Sequence, residues 1–149
     1  MVSNKTRGKY FEDTIAEKIA NHLNYSKLDI HRNQDSGNFS TEIGDIHLPF
    51  ECVIECKFQK AWSYQNFMKK NKLIDNWLQQ LNEASNKYEK LFNKSPIIKA
   101  LVISKPYENI YVFVNENPSQ ITNVYGVYDD MYIITLDSFL KMLERFKNG

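Results

Sequence analysis

Cysteine is scarce in this chain of 149 residues. Only Cys52 and Cys56 occur, too few for a disulfide framework. They fall on one side of an expected strand, where small buried hydrophobes fit better than metal ligands. His22, His31 and His47 show no zinc-ligand spacing with them, so no zinc is expected. Also missing is any apolar run of membrane-spanning length, and the opening MVSNKTRGKY lacks the apolar core of a signal peptide. The expected location is therefore cytoplasmic, with no membrane partner. Net charge is lacking too. The formal value of +1 is no global mark of a nucleic-acid binder. No internal repeat, low-complexity tract or linker is visible.

What the chain does contain is ordinary for a folded protein. Hydrophobic residues make up 42% and charged residues 25%, the balance of a soluble globular domain, and the 13% aromatic content argues against disorder. At this length one domain over 1–149 with a real core is expected. Phe11, Ile15, Ile19 and Leu23, widened by Tyr10 and Ala16, predict a helix over 6–23. A short strand is expected over 28–32, then the turn NQDSGN, a second short strand over 43–48, and a strongly apolar strand within ECVIECKFQK (51–60). The stretch 66–92 predicts the longest helix, with Leu73, Trp77, Ala84, Tyr88 and Leu91 on one side and Gln80 and Leu81 sharing the intervening turn. IIKALVIS, IYVFVN and MYIITL predict further strands, and FLKMLERF a closing helix capped by Asp137 or Ser138. The order defines a single α/β domain with a mixed central sheet.

The apolar strand carries two charges that need an explanation. Glu55 and Lys57 project to one face, while Cys52, Ile54, Cys56 and Phe58 line the other. Charges in such a strand are costly unless paired. They could form an ion pair on an outer face, because charged residues are mostly exposed. Asp45, ten residues earlier in EIGDIHL, offers another reading. A hairpin would bring Asp45 beside Glu55, close enough to share a divalent cation, with Lys57 aimed at the same place. Mg²⁺ favours one or two carboxylates, with waters and substrate phosphate completing its shell. Such a set suits phosphodiester hydrolysis.

Charge is also unevenly distributed. Lys57, Lys60, Lys69, Lys70 and Lys72 lie between Glu55 and Asp75 with no acid among them. Lys5, Arg7 and Lys9 form a second basic cluster, and the later part of the chain is acidic. Each cluster alone reads as a solvated face.

Asp45 followed by Glu55-Cys56-Lys57 resembles the active-site motif of the PD-(D/E)XK nuclease superfamily. GKYFE places Glu12 on the first helix, where the resemblance implies an outer acid holding metal through water. HRNQDSG, with Arg32, Ser36 and Gly37, resembles the arginine and Ser-Gly turn of archaeal Holliday junction resolvases and related phage nucleases. WLQQLNEA resembles the helix in which a glutamine faces the site, Gln80 matching better than Gln79. The similarity spans about residues 8–104 in the family order α-β-β-β-α-β, and Gly44 stands where the superfamily's name has proline. Individually these residues have plainer readings: Glu12 as a first-turn acid, Ser36 and Gly37 as turn residues, Arg32 as a surface partner, Gln80 as solvated and Trp77 as core.

The resemblance implies a restriction-endonuclease-like core and a Mg²⁺-dependent DNA endonuclease, with Mn²⁺ as a substitute ion. It gives Asp45 and Glu55 as metal ligands, Lys57 as the residue that orients water, and Gln80 as its helper. Arg32, Ser36, Gly37, Lys60, Lys69, Lys70 and Lys72 are expected along the DNA. The resolvase-like branch implies a homodimer acting on branched DNA, leaving 5′-phosphate and 3′-hydroxyl ends. A nicking, restriction or repair endonuclease on linear duplex, and a non-catalytic nucleic-acid-binding module, are the alternatives. The size and the lysine- and asparagine-rich composition suit an AT-rich bacterial virus or bacterium. No base-reading motif is visible.

Overall fold

The computed structural model describes residues 3–34, 42–60, 69–105, 109–118, 120 and 122–148, with side chains throughout except at positions 4 and 148. Helix α1 (Asn4–Leu23) opens on Ser3, whose hydroxyl accepts from the Thr6 N–H, and closes on Asn24 in the left-handed conformation. Helix α2 (Lys72–Phe92) uses the same devices, with Asn71 as N-cap and left-handed Asn93 at its end. Asparagine suits both ends, since its amide bonds local backbone and tolerates positive φ. Between them lie β1 (His31–Arg32), β2 (Ile46–His47) and β3 (Cys52–Phe58). After α2 come β4 (Ile98–Ser104), β5 (Tyr111–Val114), β6 (Gly126–Tyr128), β7 (Met131–Thr135) and α3 (Leu136–Asn148).

Five strands form one mixed sheet in the order β3-β4-β5-β7-β6. The β3–β4 pair is parallel and the other pairs are antiparallel. Side chains alternate between two buried faces, as expected of a sheet covered on both sides. Ile54, Ala100, Val102, Val112, Val114 and Ile134 pack with the apolar residues of α1 and α3. On the other face Val53, Leu101, Ile103, Phe113 and Ile133 pack with Ile74, Trp77 and Leu81 of α2. This is an α/β restriction-endonuclease-like core. It places β3 at the sheet edge, with α1 and α2 on opposite faces. Among the described residues no helix is long and apolar enough to cross a membrane.

Several expected details shift. Phe11, Ile15, Ala16, Ile19 and Leu23 of α1 are buried, but Tyr10 is 75% exposed. On α2 the buried line is Ile74, Trp77, Leu81, Ser85 and Tyr88, whereas Leu91 is 47% exposed. The helix presents the i, i+3, i+7 line nearest the sheet, and Leu91 lies past the sheet's cover. Only His31 and Arg32 of the expected strand over 28–32 pair, while Leu28 is exposed. Strand β6, three residues long, is an element that the pattern did not announce. The α3 cap is Thr135, whose hydroxyl accepts from the Ser138 N–H at 3.2 Å, not Asp137 or Ser138. Both cysteines are buried and free, as small hydrophobes should be.

Gly8 lies within α1, where glycine costs about 0.8–1.0 kcal/mol relative to alanine. Among the described residues an added Cβ there would meet nothing within 4 Å. Packing therefore gives no reason for a glycine.

The burial line of α2 can be tested by truncation. Leu81→Ala should cost about 2–5 kcal/mol, because it opens a cavity under the sheet. Leu91→Ala should stay within about 0.5 kcal/mol, as surface changes do. Chemical denaturation of the two variants measures both, and equal losses would contradict this packing.

Candidate active site at the edge of the sheet

Among the described residues strand β3 has a partner strand on one side only, so backbone groups along its outer edge need other partners. Asp45 supplies them. Its N–H donates to the Ile54 carbonyl at 2.8 Å, and its carboxylate Oδ2 accepts from the Cys56 N–H at 2.7 Å. The expected hairpin between the strands of Asp45 and Glu55 does not form. Strand β2 pairs instead with β1, His31 opposite His47 and Arg32 opposite Ile46. Asp45, one residue before β2, makes the link to β3 through these two bonds.

The approach is close enough to exclude a side chain next door. Gly44 has φ +70°, and a Cβ there would stand 2.7 Å from the Ile54 carbonyl oxygen. Glycine meets both requirements, and proline, with φ fixed near −65°, meets neither. Asn33 secures the other side of the turn. Its N–H donates to the Asp45 carbonyl at 2.9 Å, and its side-chain amide donates to the carbonyls of Ile43 and Gly44, each at 3.0 Å. Sequence reasoning did not single out Asn33. Its one local signal is its place as the first residue of a polar turn.

Three half-buried carboxylates converge at this turn. Burial above all, together with proximity to and hydrogen bonding with Asp45, pushes Glu55 up to about 9 against the opposing pull of Lys57. Burial first, then the neighbouring Asp45, likewise pushes Glu12 up to about 8 against the opposing pull of Arg32. Like charges gathered at a partly desolvated site favour protons, or a cation in their place.

Lys57 lies on the Glu55 face of β3 and donates through Nζ to Oε1 of Gln80 on α2. Trp77, one turn before Gln80, is buried in the core; Gln79 and Gln80 are both exposed. Arg32 Nε lies 3.3 Å from Asp13 Oδ1, and Arg32 borders a cavity of about 220 Å³ with Glu12 and Asp45. Thus Glu12, Arg32, Asp45, Glu55, Lys57 and Gln80 come together around one edge. Lys60, Lys69 and Lys72 are exposed. Lys70 is exposed too, but its ammonium is 3.1 Å from Asp129 and 3.6 Å from Asp75. The basic run thus meets an acid from the β6–β7 turn, far away in sequence. Ser36 and Gly37 lie outside the described residues.

Among the described residues no three His, Cys, Asp or Glu side chains form a ready cage for a metal ion. Mg²⁺ does not require one, since it binds through one or two carboxylates and keeps several waters. Asp45 and Glu55, with Glu12 behind them, fit that demand in donor type and number.

The fold and this edge have the layout of a PD-(D/E)XK nuclease. The sequence model of the family described as "Phage putative PDDEXK endonuclease" matches residues 3–145. The chain belongs to that endonuclease family. No curated protein and no solved structure matches the chain.

The raised carboxyl groups have a measurable consequence. An acid whose folded-state pKa exceeds its unfolded value holds a proton that the unfolded chain releases. The stability this contributes is complete below about 4.5 and is lost as pH rises towards about 9. The melting temperature of the metal-free protein should therefore fall between about pH 5 and pH 9. Glu55→Gln should flatten that fall and raise the melting temperature at the alkaline end. Calorimetric scans across pH read both, and a flat wild-type profile would show that the carboxylates are not crowded.

Proposed function

We propose that the chain is a Mg²⁺-dependent DNA endonuclease whose active site is the Asp45–Glu55–Lys57 edge, carried on one nuclease domain. The observation that carries this reading is the turn that ties Asp45 to Ile54 and Cys56 on both sides of Glu55. Asp45 and Glu55 would hold the metal directly and Glu12 through water, with Mn²⁺ able to replace Mg²⁺. The ion would polarise the scissile phosphoryl group and lower the pKa of a bound water. Lys57 does the rest of the electrostatic work. With one N–H occupied by Gln80, its ammonium keeps two donors to orient the attacking water or to meet charge on the phosphate. Gln80 fixes where that ammonium points. Arg32, Ser36, Gly37, Lys60, Lys69 and Lys72 would follow the sugar-phosphate backbone, and Lys70 would do so only by giving up its acidic partners.

Asp45→Asn and Glu55→Gln should each abolish cleavage of supercoiled plasmid in Mg²⁺ while the fold is kept, and EDTA should do the same to the wild type. Gln80→Ala should cost about 10–100-fold, the usual penalty for losing a partner that orients a site residue. Near-full activity of Lys57→Ala would remove β3 from catalysis. A non-catalytic module is the weaker alternative, because a retired site has no physical reason to keep three costly charges.

The substrate we propose is branched DNA, cut by a homodimer with Holliday junction resolvase activity. The support is the resemblance of the sequence from Arg32 to Gly37 to that of the resolvase loop, together with its place ahead of Asp45 in the chain. Two sites about a two-fold axis suit a four-way junction better than straight duplex. Sedimentation should give twice the chain mass, and a synthetic junction should be cut at symmetric positions in preference to matched duplex. A monomer that nicks both equally would leave the chemistry and remove the resolvase assignment, favouring a nicking or repair role on linear DNA.

A further inference from the structure

Gly8 occupies a place that the chemistry above does not use. It lies one helical turn before Glu12, so both residues share the face of α1 turned to the carboxylates. It borders two cavities at once. One, of about 470 Å³, is lined by Arg7, Lys57, Gln59, Lys60 and Trp77 as well as Gly8. The other, of about 220 Å³, is lined on its basic side by Lys5, Lys9 and Arg32, and holds Glu12 and Asp45. Among the described residues Gly8 is the only one common to both linings.

The usual reasons for glycine are absent here. Its backbone is helical and its φ is not positive. Among the described residues no neighbouring group would touch a Cβ. The helix therefore bears a propensity cost for no internal gain. A glycine also serves where another molecule's chain must come close to the backbone. Cationic side chains flank the gap on both sides, Arg7, Lys57 and Lys60 on one and Lys5, Lys9 and Arg32 on the other. That arrangement matches consecutive phosphates of one nucleic-acid strand.

We infer that Gly8 is a saddle over which the cleaved DNA strand passes, with one phosphate in the Lys57 cavity and a neighbouring phosphate in the Arg32 cavity. The inference deepens the nuclease reading and rests on it for the identity of the strand. In this arrangement the Lys5–Lys9 cluster is the second wall of the substrate channel, opposite the lysines that follow β3. Any side chain at position 8 would lift the strand away from Asp45 and Glu55.

Substitution separates this role from a structural one because stability and function should move in opposite directions. Gly8→Ala should raise the melting temperature, since alanine is the better helix former. Its affinity for labelled DNA, read by fluorescence anisotropy with Ca²⁺ in place of Mg²⁺, should nevertheless fall at least about tenfold, and cleavage in Mg²⁺ should fall with it. Gly8→Leu, also a good helix former, should lose more. Variants that are more stable yet bind DNA like the wild type would overturn the saddle, and a wild type that binds no DNA would overturn it together with the nuclease reading. If the wild type binds DNA and loses it on Gly8→Ala but never cleaves, the nuclease reading fails and the saddle stands. If both cleave equally, the saddle fails and the nuclease reading stands.

Discussion

The site depends on how one aspartate is held against an edge strand. Strand β3 leaves the Ile54 carbonyl and the Cys56 N–H without a neighbouring strand, and Asp45 bonds both. Its carboxylate is thereby fixed on the outer edge, beside Glu55 and within reach of Glu12. The same bonds hold the backbone of Gly44 so close to Ile54 that only glycine fits. Asn33 closes the turn from behind with three hydrogen bonds. Few groups are involved, and all are fixed by neutral backbone partners. That matters because the cluster itself is repulsive, and its rigidity must come from elsewhere.

The sheet positions the remaining groups around this point. Its two apolar faces seat α1 and α2 on opposite sides, and Glu12 of α1 and Gln80 of α2 reach the β3 edge. On the α2 face the run Val53, Glu55, Lys57 passes from buried to half-buried within one strand. The apolar layer ends where the charged residues begin. Site and core are therefore built from the same alternation of side chains.

That alternation is why much of this was legible in the sequence. A period of two places Glu55 with Lys57 and separates them from Ile54 and Cys56. The long apolar runs of β3, β4 and β5 read as strands because they are buried on both faces. The grouping around Asp45 was legible from its spacing, but its means was not. The link runs through Gly44 at positive φ and through the Asn33 amide, and neither leaves a periodic trace. Tyr10 and Leu91 continue their helical stripes in sequence but lie off the packed line, since periodicity does not say where a sheet stops covering a helix. The pairing of Lys70 with Asp129 joins residues far apart along the chain, so the lysine run looked unopposed. Strand β6 is too short to show an alternation.

The central claim is that Asp45, held on the edge of β3, joins Glu55 in binding a divalent ion while Lys57 serves a different purpose. Titration of Mn²⁺, an ion suited to carboxylate and water ligands, into the wild type and two variants by calorimetry tests it most directly. The wild type and Lys57→Ala should bind the ion with similar affinity, and Asp45→Asn should lose it. Undiminished binding by Asp45→Asn, with its fold intact, would contradict the account.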